Sequence, residues 1–335
     1  MLRRPPRSTL LDIRRQRQMC IRDRDIVPLL RRLSEASGVS GYEHEVRDLV
    51  KAEFERYADE VQTDTLGNVI ALKRGAGPDP RPAIMLATHM DEIGLIVSEL
   101  EEGFIRFQQV GGYDDLVLPG QEVVVHGRRD LPGIIGARPP HVLPSRDRDK
   151  PIPYAGLLID VGLSPADLAR LVRVGDLITM NRQLMELKGG LVAGKALDNR
   201  ASVAAVAACL AGLTMLYHKW DVYAVATVQE EVGYKGVITS SYDLRPDVGI
   251  AIDVTWASQP GAPDEYTFDQ GKGPTISSGP NYHPKLQDSL VETAQVLELS
   301  YHVEVVTRPG GTDAYAIQIS REGIPAGLLS IPLRN

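Results

Sequence analysis

Cysteine, aromatic residues and long apolar runs are all scarce in this chain of 335 residues. Its two cysteines, Cys20 and Cys209, cannot form the disulfide framework of a small secreted domain, so we expect a cytoplasmic protein. No uncharged apolar run is long enough to span a bilayer, and we expect no membrane segment. The formal net charge of −7 argues against nucleic acid as the main partner.

The beginning of the chain differs in composition from the rest. Residues 1–24 contain eight Arg and only two Asp. An Arg-rich, acid-poor leader is typical of an organelle targeting peptide, but Pro5-Pro6 and the lack of an apolar stripe are unfavourable for an amphipathic helix. The segment resembles translated sequencing-adapter sequence. We therefore expect it to be artefactual or disordered and leave it out of the fold.

The remaining residues divide into two kinds of sequence. With 43% hydrophobic residues the chain can bury a substantial core, and its length predicts two domains. Residues 25–92 and 188–335 alternate strand-like apolar runs with helical segments, which is typical of an α/β domain. Residues 93–187 are instead rich in Gly, Pro and short β-like runs. We therefore expect an α/β fold interrupted by an inserted small β-barrel.

Two adjacent acids, Glu230 and Glu231, follow the apolar run 222–227. The run is short and contains β-branched residues, which predicts a buried strand that ends in a loop. Beyond the carboxyl end of such a strand, two acids are costly to place without a metal or a reacting proton. Because strand neighbours alternate faces, we expect one acid to bind a metal and the other to accept a proton. The alternative is that both cap a helix or face solvent.

The same pattern recurs at three other places in the chain. The apolar run 83–88 ends at His89, and the run 248–252 ends at Asp253. Asp198 precedes an Ala- and Val-rich segment that indicates a buried helix. Four chain-distant His, Asp and Glu positions, each at the end of an element, are what a metal centre at a sheet edge requires.

A Gly-rich turn near the end of the chain is a second candidate site. It comprises Gly310, Gly311, Thr312 and Asp313, directly before a helical segment. Backbone N–H groups at such a turn can bind a carbonyl oxygen or carboxylate of a substrate. A plain helix cap by Thr312 or Asp313 is the alternative.

Three histidines have no other candidate ligand near them in the sequence. His126 and His141 fall in the predicted barrel region, and we interpret both as surface or structural residues. His283 has no partner by spacing, so its place relative to the predicted site stays open.

Five ordered motifs carry a resemblance to a known family. They are HMDEIG from His89, KALDNR from Lys195, QEEVG from Gln229, AIDVT from Ala251 and GGTDA from Gly310. In this order and at compatible spacing they resemble the motif set of the family M42 metallo-aminopeptidases, the tetrahedral or glutamyl aminopeptidase group. The resemblance spans residues 25–335.

The resemblance implies a zinc-exopeptidase-like sheet with helices on both faces. It also implies that the barrel at residues 93–187 mediates dimerisation and that dimers assemble into a hollow dodecamer. The implied substrates are peptides, from which N-terminal residues are removed.

Motif matching further implies two divalent metal ions in each subunit. The implied ligands are His89, Asp198, Glu231 and Asp253, with Asp198 bridging the two ions. His89 and Asp253 would complete the first ion, and Glu231 would belong to the second. A carboxylate can bridge in this way because it offers an oxygen to each cation. Mixed His and carboxylate ligands suit Zn²⁺, Co²⁺ or Mn²⁺ equally.

Glu230 stays without a metal in this scheme and would be the general base. It would take a proton from the metal-activated water and pass it to the leaving amine. Asp91, two residues after His89, is placed to accept the second ring N–H of that histidine and fix its tautomer.

Two other classes of function stay open at this point. A glycoside hydrolase uses two carboxylates about 5–9 Å apart across a sugar, and family members have been labelled cellulases. That chemistry leaves His89, Asp198 and Asp253 without a role. An inactive assembly scaffold would keep the fold without a converged site.

The last residues of the sequence suggest an incomplete second metal site. Residues 330–335 resemble the family segment that leads to a histidine ligand of the second ion. The sequence stops before that histidine. We therefore expect the second site of this chain to bind its metal weakly, because an imidazole ligand is missing.

Overall fold

The computed structural model describes residues 25–138, 152–308 and 310–334. The helices are, in chain order, α1 Val27–Glu35, α2 His44–Phe54, α3 Pro165–Leu171, α4 Leu197–Leu213, α5 Lys235–Leu244, α6 Pro284–Val296 and α7 Asp313–Gln318. The first eight strands are β1 Glu60–Thr63, β2 Val69–Lys73, β3 Ala83–His89, β4 Gly94–Glu101, β5 Phe104–Val110, β6 Glu122–His126, β7 Asp130–Ala137 and β8 Leu157–Asp160. The others are β9 Leu177–Met180, β10 Met185–Leu187, β11 Leu191–Ala193, β12 Asp221–Thr227, β13 Val248–Trp256, β14 Thr275–Ser278, β15 His302–Val305 and β16 Ala326–Leu333. Residues 1–24 and His141, for which we made predictions, lie outside the described residues.

Eight strands form one mixed sheet in the order β1-β2-β12-β3-β13-β16-β14-β15. In its centre, β12, β3, β13 and β16 are parallel neighbours. The three apolar runs that predicted buried strands are β12, β3 and β13. Thr227 pairs with His89 in register, so β12 and β3 end at the same level. The carboxyl ends of parallel strands meet at one edge of a sheet, which is where ligands bind in such folds.

Helices cover both faces of this sheet, as predicted. Helices α1, α2 and α4 pack on one face, where the alternating residues Ala224 and Ala226 of β12 lie in the same core cluster. Helices α5 and α7 pack on the other face, against Val225 and the odd-numbered residues of β3. Because neighbouring strand residues point to opposite faces, one strand contributes to both cores.

A closed barrel of six strands, in the order β4-β5-β8-β7-β6-β9, interrupts the α/β domain. Its interior is filled by branched side chains such as Leu95, Ile105, Val123, Ile135 and Ile159, all fully buried. The expectation of an inserted small β-barrel is therefore confirmed. The chain leaves the sheet after β3 and returns through the hairpin β10-β11 to α4.

No helix in the described part of the chain combines the length and the apolar character needed to cross a bilayer.

Candidate metal centre

Three of the predicted ligands meet at the carboxyl edge of the sheet. His89 is the last residue of β3, and its Nε2 atom lies 3.1 Å from Oδ1 of Asp198. The same nitrogen lies 3.9 Å from Oδ1 of Asp253 in β13. One ligand atom from each of the three residues lies within 4.8 Å of the others. Side chains at this spacing can share a cation, since metal–ligand bonds of His and carboxylates are about 2 Å long.

Glu230 and Glu231 form a second group with the same histidine. One ligand atom from each acid and one from His89 lie within 4.8 Å of one another. The strand β12 already ends at Thr227, and Gln229 adopts a left-handed conformation with φ of 56°. Both acids therefore lie beyond the end of the strand. The alternation of faces on which we based their different roles is not present at these two residues.

The start of helix α4 is anchored beside Asp253. Asn199 Nδ2 donates to the carbonyl oxygen of Ile252 at 2.9 Å, and Ser202 Oγ donates to that of Asp253 at 3.3 Å. These bonds attach the residue after Asp198 to strand β13. The side chain of Asp198 is 50% exposed, whereas that of His89 is 3% exposed. Asp198 thus presents its carboxylate on the open side of the site.

Burial and mutual repulsion shift the pKa values of these acids upward. Burial raises the pKa of Glu230 to about 9, that of Asp253 to about 8 and that of Glu231 to about 7. Other carboxylates nearby add to the shift, and His89 opposes it. For His89, burial lowers the pKa. The hydrogen bond to Asp198 and the nearby Asp91 carboxylate together raise it by more, so the net pKa lies well above its usual value.

The residues present fit a divalent cation. His89 Nδ1, Glu230 Oε1 and Asp313 Oδ1 are buried and have no hydrogen-bond partner among the described residues. Buried carboxyl groups this close to one another cannot all ionise without a compensating positive charge. A divalent cation supplies that charge, and the imidazole and carboxylate donors are those that bind Zn²⁺, Co²⁺ or Mn²⁺.

Asp91 supports this site in more ways than we predicted. Its Oδ1 lies 3.4 Å from His89 Nδ1, without forming a regular hydrogen bond to it. Instead Asp91 accepts the backbone N–H groups of Glu230 at 3.0 Å and Glu231 at 3.2 Å. Ser40 Oγ donates to it at 2.6 Å. Asp91 therefore ties the end of β3 to the loop that carries both acids.

The Gly-rich turn lies beside the same carboxylates. Asp313 is buried, and its Oδ2 accepts a hydrogen bond from Thr227 Oγ1 at 2.7 Å. Thr312 occupies the N-cap position of α7, but its side chain makes no capping bond. The helix-cap alternative is therefore wrong for Thr312. A Cβ atom on Gly311 would lie 3.6 Å from the hydroxyl oxygen of Tyr234, and a Cβ atom on Gly310 would lie 3.3 Å from that of Tyr282.

Two other histidines lie away from this site. His126 contacts Asp130 and Thr179 within the barrel, both at 2.9 Å, which agrees with a structural role. The backbone N–H of His283 donates to Ala326 at the start of β16. Parallel strands begin at the edge opposite to the metal centre, so His283 does not contact the candidate ligands.

A cavity of about 720 Å³ opens next to the metal centre. Asp198 and Glu231 line it on the α/β side, and Tyr113, Gln121 and Met180 line it on the barrel side. This volume is within the range of small-molecule binding sites. The candidate metal centre is therefore open to a ligand of small-molecule size.

Two residues that position the site were missed in the sequence. Glu43 accepts the backbone N–H of Gln229, and Asn68 accepts that of Val228. The partners are 186 and 160 residues apart in the chain. No local spacing or motif signals such contacts, because they arise only when the sheet has formed.

Comparison with known proteins agrees with the five motifs. The family model described as M42 glutamyl aminopeptidase matches residues 67–335. Lysyl aminopeptidase of Pyrococcus furiosus is 37% identical over 312 residues, which cover 91% of this chain and 88% of that protein. The chain also resembles a TET aminopeptidase from a marine sediment Thaumarchaeota archaeon, with a TM-score of 0.88 and 34% identity over 92% of this chain and 89% of that one.

A further solved structure is similar in fold and in length. The TET1 peptidase of Pyrococcus horikoshii has a TM-score of 0.80 and 32% identity, with 92% of each chain covered. These likenesses extend through both the sheet and the barrel. The chain therefore belongs to the M42 glutamyl aminopeptidase family and is a peptide hydrolase.

Proposed function

We propose that this chain is a metal-dependent aminopeptidase that removes N-terminal residues from peptides, with Glu230 as its general base. The observation that carries the proposal is two groups of possible ligands that share His89, one with Glu230 and Glu231 and the other with Asp198 and Asp253. One residue of each group, Glu231 and Asp198, also lines the cavity. A glycoside hydrolase would need only two of these carboxylates, and the buried histidine would have no role.

His89, Asp198, Glu231 and Asp253 would hold two divalent cations, with Asp198 shared between them. His89 and Asp253 would complete the first ion, and Glu231 would belong to the second. When bound, such a pair lowers the pKa of a water molecule and polarises the carbonyl group of a peptide bond. Asp91 keeps the imidazole and the acidic loop in fixed relation, because it contacts both.

Glu230 is placed to accept a proton without binding a metal. Its carboxyl group is buried, and Oε1 has no hydrogen-bond partner among the described residues. Burial raises its pKa to about 9 in the metal-free chain, whereas bound cations nearby would favour the ionised form that can accept a proton. We assign it to accept the proton of the attacking water and to return that proton to the leaving amine.

The substrates are peptides with a free N-terminus, and the Gly310–Asp313 turn is the proposed place for their backbone groups. Pyrococcus horikoshii TET1 can assemble into a tetrahedron or a large octahedral shell. We infer that this chain is also a homo-oligomer, a dodecamer built from dimers whose subunits are joined through the barrel. Its low cysteine content supports a cytoplasmic location.

A panel of chromogenic aminoacyl anilides tests the proposed function. We expect hydrolysis to stop after treatment with a chelator and to return with Zn²⁺, Co²⁺ or Mn²⁺. The same anilides with an acetylated amino group should not be cleaved, since an aminopeptidase requires a free N-terminus. Cleavage of carboxymethyl cellulose in the presence of chelator would instead indicate a glycoside hydrolase. No hydrolysis of any substrate by the metal-loaded chain would indicate an assembly scaffold.

A further inference from the structure

The loop that carries Glu230 and Glu231 is held by side chains rather than by a neighbouring strand. Strand β12 ends at Thr227, and the next four backbone N–H groups all point to side-chain acceptors. The bonds are Val228 N–H to Asn68 Oδ1 at 3.0 Å, Gln229 N–H to Glu43 Oε1 at 3.1 Å, Glu230 N–H to Asp91 Oδ1 at 3.0 Å and Glu231 N–H to Asp91 Oδ2 at 3.2 Å. We call these three acceptor residues the acceptor cradle.

All three members of the acceptor cradle are buried. Asn68 and Asp91 are 0% exposed, and Glu43 is 5% exposed. Buried backbone N–H groups need a partner, because water does not reach them. The acceptors come from three separate segments, so the path of this loop is fixed by the tertiary structure and not by its own sequence.

Asn68 holds the two ends of the loop together. Its Nδ2 atom donates to the carbonyl oxygen of Gly236 at 2.9 Å, while its Oδ1 accepts from Val228. A Cβ atom on Gly236 would lie 2.3 Å from Oδ1 of Asn68. The close approach therefore needs glycine at this position. Asn68 also contacts Asp64 at 2.6 Å, which makes its role partly structural.

Glu43 has a simpler set of contacts. Its Oε1 accepts the backbone N–H groups of Gly41 at 2.7 Å and Gln229 at 3.1 Å. Gln229 has φ of 56°, a conformation that non-glycine residues rarely adopt. Glu43 thus supports an unfavourable backbone conformation at the residue directly before Glu230, without itself being one of the candidate ligands.

We propose that Glu43 is a positioning residue for the general base, acting through the backbone of Gln229. This proposal rests on the proposed function of Glu230. Without the acceptor, Gln229 can relax to a common backbone conformation, and that rotation moves the carboxyl group of Glu230. A displacement of about 1 Å at a reacting group can cost about 100-fold in rate.

Two substitutions at Glu43 separate the acceptor from the charge. Glu43→Gln keeps an Oε1 acceptor of the same length, and Glu43→Ala removes it. We expect Glu43→Ala to lower kcat by at least about 10-fold with KM changed less than about 2-fold, and Glu43→Gln to stay within about 3-fold of the original kcat. Glu43 directly precedes helix α2, and Glu55 directly follows it at an exposed position. Glu55→Ala is therefore the matched control and should leave kcat and KM unchanged.

Metal content, melting temperature and amide exchange complete the test. In Glu43→Ala we expect unchanged metal content, a melting temperature lowered by no more than about 5 °C because two N–H groups lose their acceptor, and faster hydrogen exchange at the Gln229 amide, measured by mass spectrometry. In Glu43→Gln that amide should exchange at the original rate. These readouts do not depend on activity, so they test the acceptor role even if the unsubstituted chain hydrolyses no aminoacyl substrate, a result that would overturn the proposed function alone.

Three results would overturn the positioning role. The first is Glu43→Ala with the original kcat. The second is Glu43→Gln impaired as strongly as Glu43→Ala, which would indicate a need for the charge. The third is a parallel loss of metal, melting transition and activity in Glu43→Ala, which would make Glu43 a residue of general stability.

Discussion

Glu230 and Glu231 are neighbours in sequence, yet we expect their substitution to affect kcat and metal content differently. Glu230→Gln should lower kcat by about 10²–10⁴-fold while the chain keeps its metal, because the amide has the same shape but cannot take a proton. Glu231→Gln should lose metal as well as activity, because it replaces an anionic ligand with a neutral one. Metal content after dialysis and kcat on one aminoacyl anilide measure the two effects.

An exposed acid on another helix provides the control for this pair. Glu292→Gln lies on α6 and should change neither metal content nor kcat. Equal loss of metal from the Glu230 and Glu231 variants would show that our assignment of base and ligand is wrong. Distance alone does not decide which acid is the ligand, because ligand atoms of both acids lie within 4.8 Å of one from His89.

Individual site residues were predictable where their position in the chain revealed them. His89 and Asp253 stand at the ends of apolar runs, and Asp198 stands in the first turn of helix α4, so local pattern alone made each a candidate ligand. Glu43 and Asn68 were not, because each acts through a backbone N–H far away in the sequence. Asp91 was predicted for one contact and makes several others.

At the scale of elements, alternation and apolar runs predicted most strands near the site but not the order of the sheet. Strand β16 lies between β13 and β14, with Asp253 opposite Ser330. Its sequence is a short apolar run that ends near Pro332, and such a run does not distinguish a strand from another buried segment. Its partners are distant in the chain, so only folding reveals the pairing.

The start of helix α4 depends on one fully buried cation. Arg200 donates to the carbonyl oxygens of Met90 and Ala36, both at 2.8 Å, and lies 3.4 Å from Oε1 of Glu92. We expect Arg200→Met to lower the free energy of unfolding by about 3–5 kcal/mol, because it leaves buried acceptors and part of an ion pair without a partner. Urea unfolding followed by circular dichroism measures this loss.

Arg170→Met is the control for that experiment. Arg170 lies in α3 and pairs with Asp167 at an exposed position, where an ion pair contributes less than about 1 kcal/mol. A loss of similar size in both variants would contradict the special role of Arg200. A small loss in Arg200→Met would show that Lys195, which contacts Glu92 at 2.8 Å, can support this region by itself.

At the scale of the whole molecule, the barrel is joined to the sheet at the candidate metal centre. The chain leaves β3 at His89 and enters the barrel at Gly94, and it returns to α4 beside Asp198. Lys195 Nζ bonds both carboxylate oxygens of Glu92 at 2.8 Å, so entry and exit are held together by a buried ion pair. The barrel wall therefore has a fixed position beside the cavity.

The same concentration of acids makes the stability of the molecule depend on metal and on pH. In chelator, we expect the free energy of unfolding to fall as pH rises from about 5 to 9. Burial raises the pKa of Glu230 to about 9 and of Glu231 to about 7, whereas the ordinary value is 4.5. In this window the folded chain binds more protons than the unfolded chain, so raising the pH favours unfolding.

His89 contributes with the same sign, because its pKa in the folded chain is raised by Asp198 and Asp91 against the opposing effect of burial. The stabilisation from its charged form is complete below its ordinary pKa and is lost as pH rises.

Bound metal should remove this pH dependence and add about 2.7 kcal/mol to the free energy of unfolding at a free metal concentration 100 times Kd. Urea unfolding at three pH values, with chelator and with Zn²⁺, measures both effects. Glu230→Gln lacks one of the titrating groups, so its chelated form should show a shallower decline. A chelated chain whose stability stays constant or increases across this window would contradict the buried acid cluster as the cause.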